Sequence, residues 1–218
     1  MINICFHGIG RCAHEREPGE ARYWIAEKTF LDVLDVVADS PGVQLSFDDG
    51  NRSDTDIALP ALQERGLTAT FFVLAGRLED PASLSPGDLH TLRDAGMSIG
   101  SHGWQHIPWR GLDAAAAQRE FVTARAALEE AAGTRITEAA LPLGRYDRET
   151  LRRLKEAGYD AVYTSDRFPA RSGAWLRARY SVTSSDTADT VRSIARGRIG
   201  VREVRNYAAS AVKRMRRS

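Results

Sequence analysis

Cysteine is scarce in this chain and neither sign of charge is in excess, and each shortage narrows the possibilities. Two cysteines in 218 residues, Cys5 in an apolar stretch and Cys12 in a loop-like one, form neither a disulfide framework nor a zinc or redox motif. They read as free thiols of a reducing compartment. Thirty basic residues against 29 acidic ones leave a formal charge of +1, so nothing global points to nucleic acid or another polyanion as partner. No apolar run is long enough to span a bilayer, and the start of the chain lacks the basic and long apolar regions of a secretory leader. The expected location is therefore cytoplasmic. The one biased run, Lys213-Arg214-Met215-Arg216-Arg217, reads as a solvated basic tail within 200–218. At 43% hydrophobic and 27% charged, residues 1–218 have the composition of one ordinary globular domain with a real core.

Strands and helices alternate through the rest. Residues 2–6 read as a buried strand that delivers His7 and Gly8. A helix over 29–38 stops at Pro41-Gly42, and a strand over 43–47 ends in Asp48-Asp49-Gly50. A helix over 57–65 precedes the β-branched and aromatic strand 68–74. Ser85-Pro86-Gly87-Asp88 combines an N-cap, a proline at the first helical position and an early acid, and so opens a helix to about residue 95. Strands over 97–101, 137–141, 160–164 and 175–182 are separated by helices over 113–132 and 147–157. A further helix over 188–196 and a weaker one in the tail complete the chain. This alternation predicts a mostly parallel α/β sheet or barrel, and the loaded residues at strand C-termini favour a barrel whose top-face loops build the site.

The chemistry concentrates at two strand ends. Asp48 and Asp49 are adjacent acids, which raise each other's pKa unless a cation or hydrogen-bond donors offset the repulsion. Ser101-His102-Gly103-Trp104-Gln105-His106 places two imidazoles four residues apart, and a helical turn there would project both from one face toward a single ion. Two histidines and one carboxylate leave a metal with an open position for water.

These segments resemble the polysaccharide deacetylases, carbohydrate esterase family four. The likeness extends from His7 to Trp175 and is carried by Ser46-Phe47-Asp48-Asp49-Gly50 and His102-Gly103-Trp104-Gln105-His106, with support from Leu59-Pro60-Ala61-Leu62 and from residues 68–73 and 92–102. It implies a distorted (β/α)7 barrel of mostly parallel strands. It also implies Asp49, His102 and His106 as metal ligands, Asp48 as general base, and the backbone N–H of Leu143, in Leu141-Pro142-Leu143-Gly144, as oxyanion donor. The implied activity is metal-dependent hydrolysis of an N-linked acetyl or similar acyl group by attack of a metal-bound water. The implied substrate is an amino sugar or a carrier-linked glycan, and the ion is zinc, with cobalt, nickel or iron also compatible. Two other readings remain open, hydrolysis of a different non-peptide C–N bond and a non-catalytic metal-binding relative.

The match departs from the family pattern at three places. Gly103 replaces a hydroxyl residue that could order its loop. The third motif has Ala140 where an arginine commonly steadies the base, so either Arg145 substitutes from the same loop or Asp48 is tuned otherwise. Trp175 is a candidate wall of the site, and Trp104 and Trp109 are further candidate sugar-stacking faces, with core packing as the alternative for each. Finally, no histidine follows His106 to protonate a departing amine. His7 is the candidate replacement, because the first strand of a closed barrel lies beside the last; His14 and His90 are the other free histidines.

Overall fold

The computed structural model describes residues 1–197 and 200–216. Its frame is one eight-stranded sheet in the order β10-β1-β4-β5-β6-β7-β8-β9, with parallel pairing throughout. The strands are β1 (Ile2–Phe6), β4 (Val43–Asp49), β5 (Ala69–Val73), β6 (Ser98–Ser101), β7 (Glu138–Ala140), β8 (Ala161–Thr164), β9 (Leu176–Ala178) and β10 (Tyr180–Ser181). Two-residue strands β2 (Gly8–Ile9) and β3 (Trp24–Ile25) pair separately. Strands β9 and β10 are one extended segment interrupted at Arg179. Its first half pairs with β8 and its second half with β1, so this segment draws the two sheet edges together. The expected distorted (β/α)7 barrel is thus present, and β1 does lie beside the last strand.

Helices cover the outside: α1 (Glu27–Ala38), α2 (Leu59–Glu64), α3 (Pro86–Asp94), α4 (Ala114–Gln118), α5 (Ala124–Ala132), α6 (Arg148–Glu156), α7 (Ala188–Ala195) and α8 (Val201–Met215). Local chemistry sets their starts. Ser85 caps α3 in a reciprocal box with Asp88, and Asp147 caps α6 through the Thr150 N–H. The apolar face of α1, Phe30, Val33, Leu34, Val36 and Val37, is buried. Phe30 meets Phe6 edge-on at 5.1 Å, and Phe47 stacks on Phe71 at 4.7 Å. The helix expected over 113–132 is present as α4 and α5, joined by a π-turn at Arg119–Thr123.

A separate buried cluster, Phe72, Ala140, Ala161 and Tyr163, has the Arg179 guanidinium over the Phe72 ring at 5.1 Å and over the Tyr163 ring at 5.7 Å. A charged group at this depth needs a partner, and the partner lies in the site.

Helix α8 docks through polar side chains. Ser210 is buried, Asn206 donates to the Arg167 carbonyl, and Val201, Val204, Val212 and Met215 face outward. The run read as a solvated basic end therefore has Lys213 turned inward onto Asp166 at 2.6 Å; Arg217 lies outside the described residues. Among the described residues no helix is long and apolar enough to cross a membrane.

Candidate active site

A regular strand sends neighbouring side chains to opposite faces, yet Asp48 and Asp49 line the same cavity of about 220 Å³ at the C-terminal end of β4. The strand geometry breaks at Asp49, whose φ is 77°, a region costly for a residue with a side chain. A larger cavity of about 1000 Å³ lies at the opposite, N-terminal ends of the strands, lined by Val43, Ala69, Ser98 and Glu138 among others. The clustered aspartates and histidines belong to the smaller one.

His102 and His106 converge on Asp49, with Nε2 to Oδ1 distances of 3.5 and 3.6 Å. The spacing of four suggested a helical turn, but residues 102–106 form an irregular bend. Two features make it. Gly103 has a φ of 90°, and a Cβ there would lie 2.3 Å from a carboxylate oxygen of Glu120. That buried carboxylate accepts the Trp104 and Gln105 N–H groups at 2.8 and 3.1 Å and the Trp109 indole N–H at 3.3 Å. Glu120 sits in the π-turn between α4 and α5, so the turn aims it at this loop. The missing hydroxyl at position 103 is thereby replaced by a carboxylate from a different helix.

Each imidazole has its other nitrogen occupied. His102 Nδ1 meets the Ala140 carbonyl at 2.9 Å and His106 Nδ1 meets Glu17 Oε1 at 2.7 Å, which leaves both Nε2 atoms for a ligand. Arg16 steadies the Glu17 loop through Asn51, Asp80 and Ser83. Asp49 Oδ1 is buried without a hydrogen-bond partner, and ligand atoms of Asp49, His102 and His106 all lie within 4.8 Å of one another. An unsatisfied buried carboxylate oxygen facing two free imidazole nitrogens is a donor set that could hold a divalent cation.

Asp48 is held differently. Arg179 donates Nη1 to its Oδ1 at 2.6 Å and Nη2 to its Oδ2 at 2.7 Å, and Nη1 also reaches Ser46 Oγ at 3.0 Å. The steadying arginine therefore comes from the β9–β10 interruption, and Arg145 stays at the cavity wall. Burial opposes ionisation of Asp48, but the Arg179 guanidinium and, after it, His102 outweigh burial and hold the carboxyl well below the usual carboxylate range. For Asp49 burial is likewise outweighed, by His106, His7 and His102, and its pKa is lowered.

His7 lines the cavity with its ring 4.7 Å from that of Tyr23, and its Nδ1 is buried without a partner. Of the other two histidines, His14 and His90 are exposed and outside the cavity lining. Leu143 lines the cavity at its rim, 48% exposed and with φ at 56°. Trp175 donates its indole N–H to the Tyr159 carbonyl and lies under Lys155, Trp109 is fully buried, and Trp104 packs beneath Arg119. None of the three lines this cavity, so core packing describes each of them. Tyr23 is the aromatic side chain that does.

Burial pushes the His102 imidazole down from 6.5 to about 4, against the opposing pull of Asp48. In the metal-free protein the unfolded chain then binds a proton at this position, between pH 6.5 and about 4, that the folded chain refuses. Stability is expected to fall as pH drops through that window, by on the order of 3 kcal/mol from this group. Below about pH 4 the depressed pKa of Asp48 adds a further loss of the same sign, as its unfolded carboxyl takes up a proton first. Urea midpoints of chelator-treated protein at several pH values check this. His102→Gln should flatten the slope above pH 4, and an unaltered slope would contradict the assignment.

Comparison with known proteins identifies the family and the fold. A polysaccharide deacetylase family profile matches residues 36–162, and the chain belongs to that family. YxkH of Bacillus subtilis is 27% identical over 124 residues, covering 57% of this chain and 44% of that protein. The matched segment spans about half the length of the curated relatives. Solved structures share the fold, two of them over nearly their whole length. The Streptococcus pyogenes deacetylase PplD, in complex with acetate, superposes with a TM-score of 0.76 at 20% identity over 88% of this chain and 96% of that one. IcaB from Ammonifex degensii gives 0.74 at 23% identity over 89% and 96%.

Proposed function

We propose that the protein is a hydrolase that removes an acetyl, or similar acyl, group from the nitrogen of an amino sugar or carrier-linked glycan. The observation that carries this reading is the convergence of Asp49, His102 and His106 beside an Asp48 clamped by Arg179 in one cavity. Asp49 Oδ1 and the two Nε2 atoms would hold a divalent ion, zinc by preference and cobalt, nickel or iron by the same donor set. Bound there, such an ion acts as a Lewis acid that lowers the pKa of water and polarises a carbonyl.

The chain's own groups supply the rest. Asp48 stays ionised, and although both oxygens accept from Arg179, each keeps a second lone pair. Its carboxylate takes the proton of the attacking water as oxygen adds to the acyl carbon. The Leu143 N–H donates to the oxyanion that forms. The His7 imidazole, with a ring nitrogen within 4.8 Å of an Asp48 oxygen, delivers a proton to the nitrogen as the C–N bond breaks, leaving a free amine and a carboxylate. A cavity of about 220 Å³ is smaller than the roughly 300–1,000 Å³ of enclosing pockets, which suits entry of the acyl group and one sugar with the remaining glycan outside. The two free thiols, one of them buried, support a cytoplasmic location.

The test is acetate release from N-acetylglucosamine oligomers, with a matching rise in free amine. Wild-type protein is expected to release both in equal amounts, and His7→Ala to lose about 10²-fold or more in kcat at neutral pH. Wild-type protein with zinc supplied that releases neither would refute the reading, and full activity in His7→Ala would remove that residue from it.

A further inference from the structure

The geometry points to Lys213, on the C-terminal helix, as a positioning residue for the oxyanion donor. The inference rests on the deacetylase reading above and concerns a part of the chain outside the family match, which ends at residue 162.

The donor loop is poorly held by its own bonds. Leu143 sits at a φ of 56°, a conformation that side-chain-bearing residues rarely adopt, and Gly144 follows at 60°. The turn bonds that close it are long, Gly144 N–H to the Leu141 carbonyl at 3.3 Å and Arg145 N–H to the Pro142 carbonyl at 3.4 Å. One wall of the loop is packing: a Cβ on Gly144 would lie 2.3 Å from Ser165 Oγ.

The other support comes from α8. Lys213 Nζ donates to the Gly144 carbonyl at 3.1 Å and to Asp166 Oδ1 at 2.6 Å. Asp166 is itself fixed, because its Oδ2 accepts the Tyr146 hydroxyl at 2.7 Å and the Thr164 hydroxyl at 2.9 Å. Tyr146 in turn meets Ser210 of α8 at 2.9 Å, so the helix grips the far side of the loop at two points one turn apart. The ammonium thus ties the Gly144–Arg145 peptide, two peptide units beyond the one that carries the Leu143 N–H, to a buried carboxylate with charge-assisted bonds. Without this tether the loop is held at its entry by the Leu141 N–H to the Tyr163 carbonyl at 2.9 Å, and beyond that, among the described residues, by its long turn bonds and the Ser165 contact, so the strained Leu143 conformation can relax. An oxyanion donor displaced by about 1 Å costs on the order of a hundredfold in rate, with little effect on ground-state binding.

Full-length, zinc-loaded protein acting on N-acetylglucosamine oligomers tests the tether. Lys213→Met is expected to lower kcat by about ten- to a hundredfold while KM moves less than about threefold. Lys213→Arg, which keeps the charge and can reach both acceptors, should restore most of kcat. A phosphinate mimic of the tetrahedral adduct should lose affinity for Lys213→Met in step with kcat, and zinc affinity should stay at the wild-type value. A merely structural role would reduce the folded, loaded fraction and leave kcat and phosphinate affinity per loaded chain unchanged. If Lys213→Met does not fold, Lys213→Gln is judged by the same two readouts. Wild-type kcat per loaded chain in either variant overturns the tether and leaves the deacetylase reading standing. A wild type that releases no acetate overturns both.

Discussion

Asp48→Asn is expected to lower kcat for acetate release by about 10²- to 10⁴-fold with little change in zinc affinity. The reason lies in the division between the two adjacent acids. Asp49 Oδ1 faces His102 and His106, whereas both Asp48 oxygens accept from Arg179, so on the proposed reading an ion and the base would be held by different groups. An asparagine keeps the shape but cannot accept the proton, and its amide NH2 meets a guanidinium N–H where the carboxylate met it with charge. The variant also leaves Arg179, 1% exposed, without its counter-ion, and a loss of about 3–5 kcal/mol in stability is expected from urea unfolding. Normal kcat in a folded Asp48→Asn protein would show that proton transfer runs elsewhere.

Arg179→Met attacks the same pair from the other side. Removing the guanidinium leaves a buried carboxylate with its strongest cationic partner gone, and burial, the largest influence on Asp48, then raises its pKa without that opposition. Stability should again fall by about 3–5 kcal/mol at neutral pH. In contrast to Asp48→Asn, part of it should return as pH falls and the carboxyl is neutralised. The acid limb of the pH–rate profile should move upward, because the base is now protonated at a higher pH. The double variant Asp48→Asn/Arg179→Met removes both charges, and should recover part of the stability of either single variant while recovering none of the activity. Additive losses of stability in the double variant would mean that the two groups are not coupled.

These two residues also mark the boundary of what sequence could reveal. Asp48, Asp49, His102 and His106 were legible because each pair closes a strand and is tied to a glycine, and the strand–helix alternation gave the barrel. Arg179 was not, because its partner lies 131 residues away and because Leu176-Arg177-Ala178-Arg179-Tyr180 alternates like an ordinary strand with its polar face toward solvent. Glu17 had no local signal at all: it reaches His106 across 89 residues from an irregular loop. Glu120 was hidden differently, since a regular helix over 113–132 gives no reason to aim that carboxylate at residues 104 and 105, and the π-turn does. The four-residue histidine spacing would put both rings on one face of a helical turn, whereas the segment is a bend, and the two rings converge on Asp49 through that different local geometry. The tail is a similar case. A run of basic residues carries no mark of which one points inward, and only the docked helix singles out Lys213.

On the proposed reading, one cation held by Asp49, His102 and His106 is required for hydrolysis. The decisive experiment is to titrate zinc into chelator-treated protein while following acetate release. The expected result is a rate near zero before addition, a linear rise, and a break at about one equivalent per chain, with no such break in Asp49→Asn. Undiminished acetate release after chelation, or an unchanged break in Asp49→Asn, would contradict it.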